Sequence, residues 1–190
     1  STHRVEAKGI IEMNGGSNTM IGGTLPQDWG GGATLSLGWG GKLNRASSTS
    51  LYGYCILGYD RLYAHGEGAL EDAKLTREHT YLGLEVRPFM KISRRLRLSL
   101  QLGIGNTLER ATLILPGLAD FMLSSNTTTY TLGGGLLYVI KKQLALTLSY
   151  SVYFFHDTRA LNLIERPLLV GPKDAPWGRS RISTGLAYLF

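Results

Sequence analysis

From Leu96 to Gly105 the chain alternates without a break. Leu96, Leu98, Leu100, Leu102 and Ile104 fall on one parity, and Arg97, Ser99, Gln101, Gly103 and Gly105 on the other. A period of two puts successive side chains on opposite faces of an extended backbone, so residues 96–108 predict a strand with one apolar and one polar face. Seven further segments carry the same signal, with approximate boundaries. In 4–13, Val5, Ala7, Gly9, Ile11 and Met13 oppose Arg4, Glu6, Lys8 and Glu12; in 32–41, Ala33, Leu35, Leu37 and Trp39 oppose Thr34, Ser36, Gly38 and Gly40. The third, 51–63, sets Leu51, Cys55, Leu57 and Tyr59 against Tyr52, Tyr54, Ile56 and Asp60, and leaves open which set faces outward. In 79–88, Thr80, Leu82, Leu84 and Val86 oppose Tyr81, Gly83, Glu85 and Arg87; in 127–140, Tyr130, Leu132, Leu136, Tyr138 and Ile140 oppose Thr129, Thr131, Gly133 and Gly135. In 144–156, Leu144, Leu146, Leu148, Tyr150, Val152 and Phe154 oppose Ala145, Thr147, Ser149 and Ser151. The last, 181–190, carries Ile182, Leu186, Tyr188 and Phe190 against Arg181, Ser183, Gly185 and Ala187, with Leu189 interrupting the second face.

A soluble barrel and a membrane barrel both alternate, so the period alone does not choose between them. Two other features do. The predicted connections, 14–31, 42–50, 64–78, 89–95, 109–126, 141–143 and 157–178, alternate long and short. Membrane barrels pair long external loops with short periplasmic turns. Tyr130, Tyr138, Tyr150, Tyr188, Trp39 and Phe190 lie near predicted strand ends, as interfacial aromatic belts do. The longest apolar or glycine run, Leu132–Ile140, is too short for a helix of about 20 residues to cross a bilayer, so any crossing is made by strands.

Eight such segments, the loop pattern and a final strand ending in Phe190 together resemble the small eight-stranded outer-membrane barrels of the OmpA/OmpX/OmpW-like family. The resemblance covers nearly all of residues 1–190 and is one of pattern. It implies an all-β, eight-stranded antiparallel up-and-down transmembrane barrel, a single domain, in the outer membrane of a Gram-negative cell envelope. Ser1 opens without a charged and apolar leader, and a removed signal peptide is inferred from the barrel reading. The lone Cys55 leaves no internal disulfide and reads as a small apolar strand residue.

Eight strands enclose a space that side chains fill, so a general porin is excluded. The inward polar set, Glu6, Lys8, Glu12, Glu85, Arg87, Arg97, Gln101 and Arg181, predicts a buried network of mutually neutralising groups. Charge is placed unevenly. The net +6 is more than accounted for by seven cations in the short connections, Lys42, Arg45, Lys91, Arg94, Arg95, Lys141 and Lys142, with no acid among them. This basic periplasmic rim suits anionic phospholipid head groups or an acidic partner. The cations lack interleaved aromatics and a basic recognition helix, so nucleic acid is not an expected partner.

Two predicted external loops are apolar. Leu113–Leu123 contains Leu113, Leu115, Leu118, Phe121 and Met122, with a short helix expected after Pro116; Leu168 and Leu169 lie in the last loop. Exposed stretches this apolar mark contact surfaces, with each other as a lid, with the lipid interface, or with a protein partner or hydrophobic ligand. No cofactor is expected, because the glycines lack the strand-to-helix setting of a phosphate loop. His65, Glu67, Glu78 and His79 bracket one loop and offer metal-type ligands, but their spacing is not diagnostic and solvated loop residues are the plainer reading. His156, Thr158 and Glu165 are similar to the His-x-Ser plus Glu constellation of outer-membrane lipid A deacylases, with Thr158 where that pattern has Ser. The leading reading is non-enzymatic: a structural or interaction barrel presenting apolar external loops, in contact with lipopolysaccharide and phospholipid. The alternatives are a narrow transporter of small hydrophobic molecules, as in OmpW-like members, and a barrel-wall lipid A deacylase.

Overall fold

The structure, a computed structural model, describes residues 8–21, 29–42, 48–65, 74–115, 117, 120–155 and 178–190. Eight strands follow one another: β1 Lys8–Ile21, β2 Trp29–Lys42, β3 Thr49–His65, β4 Lys74–Lys91, β5 Leu96–Ile114, β6 Phe121–Lys141, β7 Leu144–Phe155 and β8 Gly178–Leu189. Each pairs antiparallel with its sequence neighbours, and β8 returns to β1 through the register Ile11↔Tyr188 and Met13↔Leu186, closing the barrel. Closure leaves no free sheet edge between first and last strands, which is what a strand-built membrane crossing requires. Phe190 extends the seam: it exchanges backbone hydrogen bonds with Gly9 at 2.8 and 2.9 Å.

The parity of the faces follows the alternation. Met13, Leu37, Leu57, Leu84, Leu102, Leu132, Leu148 and Leu186 all point away from the barrel and are exposed, while Glu12, Tyr54, Glu85 and Gln101 are buried inside. The third strand, open in the sequence, is settled by its partners. Leu37↔Cys55 and Cys55↔Leu84 put the odd residues of β3 outward, and Tyr52, Tyr54, Ile56 and Asp60 inward.

Strand lengths differ from expectation. β4, β5 and β6 run 18, 19 and 21 residues, well beyond the apolar stretches that predicted them. Residues 109–126, expected to be a long loop with a helix after Pro116, instead finish β5 and begin β6, joined through the short connection 115–120. The pairs Leu113↔Phe121 and Glu109↔Ser125 satisfy the backbone there, although the outward residues, such as Arg110 and Ser124, are polar. β1 likewise continues to Ile21 through Gly15, Gly16 and Ser17, held by β2 on one side and β8 on the other. Hydrophobicity marked only the part of each strand that is greasy outside. Backbone pairing carries it further.

Candidate functional site: the plugged lumen and the two rims

Inward residues stack in layers. Nearest the short turns, Ile10, Phe89, Leu137, Ala145 and Ala187 form an apolar floor, with Val139 and Leu189 packed against it. Leu189, the residue that broke alternation in the last segment, is therefore part of this floor. Above it lies an ionic group on three strands. Arg87 Nη1 donates to Glu12 Oε2 at 2.6 Å and its Nε to Glu85 Oε2 at 2.8 Å; Tyr54 OH donates to Glu12 Oε1 at 3.0 Å. The Arg87 guanidinium also lies 4.2 Å from the Tyr54 ring centroid. One cation between two carboxylates, with a phenol and a π face completing its shell, satisfies charges that would be costly if left alone in the lumen. A void of about 10 Å³ between Glu12, Arg87 and Gln101 has room for about one water.

Neutral polar and aromatic contacts fill the middle. Ser151 Oγ donates to Gln101 at 2.6 Å, the Thr107 and Thr129 hydroxyls are 2.6 Å apart, and Tyr81 meets Tyr153 edge-on at 5.8 Å. A second ionic group lies nearer the other end. Asp60 receives Arg179 at 2.5 Å and Arg181 at 3.2 Å; His79 Nε2 lies 3.2 Å from Glu109 Oε1, and Arg179 covers the Tyr153 ring at 4.6 Å. Arg181 Nη2 also donates to the Gly32 carbonyl at 3.0 Å.

Of the predicted interior set, Glu12, Glu85, Arg87, Gln101 and Arg181 are brought into these groups, and Arg97 is partly buried at the floor end. Glu6 and the side chain of Lys8 lie outside the described residues. Arg77, Glu109 and Arg179 are also buried and inward but lie just beyond the predicted segments, and His79, buried and inward too, is the first residue of the segment 79–88. Extending the odd parity of β4 and β5 by two residues or fewer reaches Arg77 and Glu109.

Glu78 and His79 are expected to bracket, with His65 and Glu67, one long loop. They are adjacent strand residues, so they face opposite ways: His79 inward against Glu109, Glu78 outward, where it accepts from Tyr59 OH at 3.2 Å and lies 3.6 Å from Arg61. The two cannot converge on one ion; Glu67 and the side chain of His65 lie outside the described residues. The expected loop contacts are also redistributed. Leu113 is 5% exposed and points into the barrel, and Leu115 is half-buried. Met122, at 65%, is exposed outward on β6. Leu118, Leu168, Leu169, the Phe121 side chain, and the His156, Thr158 and Glu165 constellation lie outside the described residues.

Outside, the apolar belt is continuous from β1 to β8, flanked by Trp39, Tyr188 and Phe190 towards the short turns and by Tyr59, Tyr130 and Phe154 towards the far end. A lumen of ion pairs within a greasy wall inverts a soluble barrel, and the wall is a membrane-spanning surface. Lys42, Lys91, Arg94, Arg95, Lys141 and Lys142 are all exposed around the short-turn end. At the far end, above the belt, the register Arg61↔Glu78↔Arg110↔Ser124 makes an outward polar row across β3–β6.

No protein-family model matches the sequence, and no curated protein matches it. Among solved structures, the chain is similar to a major outer membrane protein of Thermus thermophilus, at 14% identity and a TM-score of 0.64, covering 97% of this chain and 99% of that one. It is also similar to Ail, the attachment invasion locus protein of Yersinia pestis, in complex with the heparin analogue sucrose octasulfate: 15% identity, TM-score 0.53, 97% of each chain. The chain thus has the fold of small eight-stranded outer-membrane barrels.

Proposed function

We propose that the chain is an integral outer-membrane barrel with a structural and interaction role: a plugged anchor that carries a wall of four strands past the outer leaflet. The carrying observation is the contrast between a lumen closed by two ionic groups and β3–β6, which run on above the belt with an outward row of Arg61, Glu78 and Arg110. Arg61 is one outward step beyond Tyr59 on β3, and Lys74 lies farther out on β4. Two cations to one acid in that row, with Lys74 farther out, suit the anionic sugars and phosphates of lipopolysaccharide, and Met122 and Ile114 beyond the row give an external partner an apolar foothold.

Two measurements test this reading. Reconstituted in a planar bilayer, the protein should give no stepwise conductance; steady porin-like steps would contradict the plug. Unfolding in vesicles should be slower with lipopolysaccharide present, and Arg61→Glu with Arg110→Glu should abolish the difference. An unchanged rate with and without lipopolysaccharide would remove the outer-leaflet contact.

A further inference from the structure

The lipid-facing wall is not uniformly convex. Trp39, Gly53, Val86 and Leu102 stand side by side on β2, β3, β4 and β5. In the next row up, Cys55 stands between Leu37 and Leu84. The two β3 residues are small and their neighbours large, so a furrow runs along β3 with a hollow of about 860 Å³ over it. A side chain at Gly53 would meet nothing within 4 Å. Trp39, in edge contact with Phe190 at 6.5 Å, walls one side. The furrow lies against hydrocarbon, and its size is within the about 300–1,000 Å³ of sites that hold small molecules.

Its foot is charged. Lys91 is five steps along β4 from Val86. That is roughly 17 Å along a strand, or roughly 13 Å across the membrane at the usual tilt. One leaflet of a barrel's apolar band is about as thick, since the whole band is about 25 Å tall. Lys91, Arg94 and Arg95, all exposed, therefore sit one leaflet's depth from the hollow. No Asp or Glu occurs in 88–100 to offset them.

We propose that this wall holds one anionic diacyl phospholipid of the short-turn leaflet, an acyl chain lying in the Gly53 furrow and its phosphate against Lys91, Arg94 and Arg95. The furrow supplies shape and the turn supplies charge, so both a chain and a negative head group are needed. This rests on the membrane-anchor reading but not on any contact at the far end.

The test is native mass spectrometry of the full chain, folded in detergent and supplied with phosphatidylglycerol or with phosphatidylcholine of the same chains. Wild type should keep one phosphatidylglycerol per monomer, preferred roughly tenfold or more over phosphatidylcholine, as three cations beside an anionic head group should give. Gly53→Phe, which has open space to occupy, should lose retention of both lipids. The triple variant Lys91→Glu, Arg94→Glu, Arg95→Glu should lose the preference alone. Lys141→Glu with Lys142→Glu, on the β6–β7 turn, should change neither. Equal retention of the two lipids by wild type, or unaltered phosphatidylglycerol retention in both the Gly53 and triple variants, would overturn the proposal. A chain that folds and stays dispersed without detergent would instead overturn the anchor reading itself.

Discussion

Arg87 is the residue on which the inner ionic group depends, because Glu12 and Glu85 both direct carboxylates at it. Arg87→Met leaves two buried carboxylates facing each other without a cation, and unfolding in urea should show a loss of about 3–5 kcal/mol. Adding Glu12→Gln and Glu85→Gln to Arg87→Met should recover most of that loss, since amides need no counter-charge. Two strand glycines, one facing the lumen and one facing out, should behave oppositely. A side chain at Gly32 would press on the Asp60 carboxylate that Arg179 and Arg181 share, whereas one at Gly53 meets open space. Gly32→Ala should therefore cost about 1–3 kcal/mol by overpacking, and Gly53→Ala should stay within about 0.5 kcal/mol of wild type, both read from the same denaturation curves. The Arg87 and Glu85 part of this chemistry was legible from parity alone. The Asp60 group was not: Asp60 sat in the segment whose register the sequence left open, and Arg179 fell just outside the last alternating run, which opened at Arg181.

At the scale of the strands, the greasy belt and the hydrogen-bonded ladder are different lengths, and only the first leaves a mark on hydrophobic periodicity. β7, apolar outside from Leu146 to Phe154, matches its predicted span to within a residue. β5 and β6 outrun their predicted spans because Arg110, Thr112, Ser124 and Asn126 face outward beyond the belt, where polar side chains are as stable as apolar ones. The same cause turned a supposed apolar loop into strand, with Leu113 inward and Met122 outward. The connection that remains, 115–120, contains Gly117 at φ 77°, a left-handed turn that a β-carbon would strain. An epitope inserted after Gly117 should leave the barrel folded and be stained on intact cells. The same epitope in the 92–95 turn should be stained only after the outer membrane is permeabilised. Equal staining of both on intact cells would contradict the assigned orientation.

The whole molecule is explained by one arrangement, apolar side chains towards lipid and ionic ones towards each other, and its consequences are graded by depth. Leu102→Arg, in the middle of the outer wall, should cost about 2–4 kcal/mol in vesicle unfolding, while the same change at Ile92, in the exposed turn, should cost about 0–1 kcal/mol. Most direct is spin-label accessibility along β5. With Cys55 replaced by Ser, single cysteines from 98 to 104 are labelled and the protein is folded into vesicles. Positions 98, 100, 102 and 104 should collide freely with oxygen and scarcely with a water-soluble nickel chelate, and 99, 101 and 103 should collide little with either. Even positions shielded from both reagents, with odd positions open to the nickel chelate, would mean that the leucines form a core and the polar face meets water.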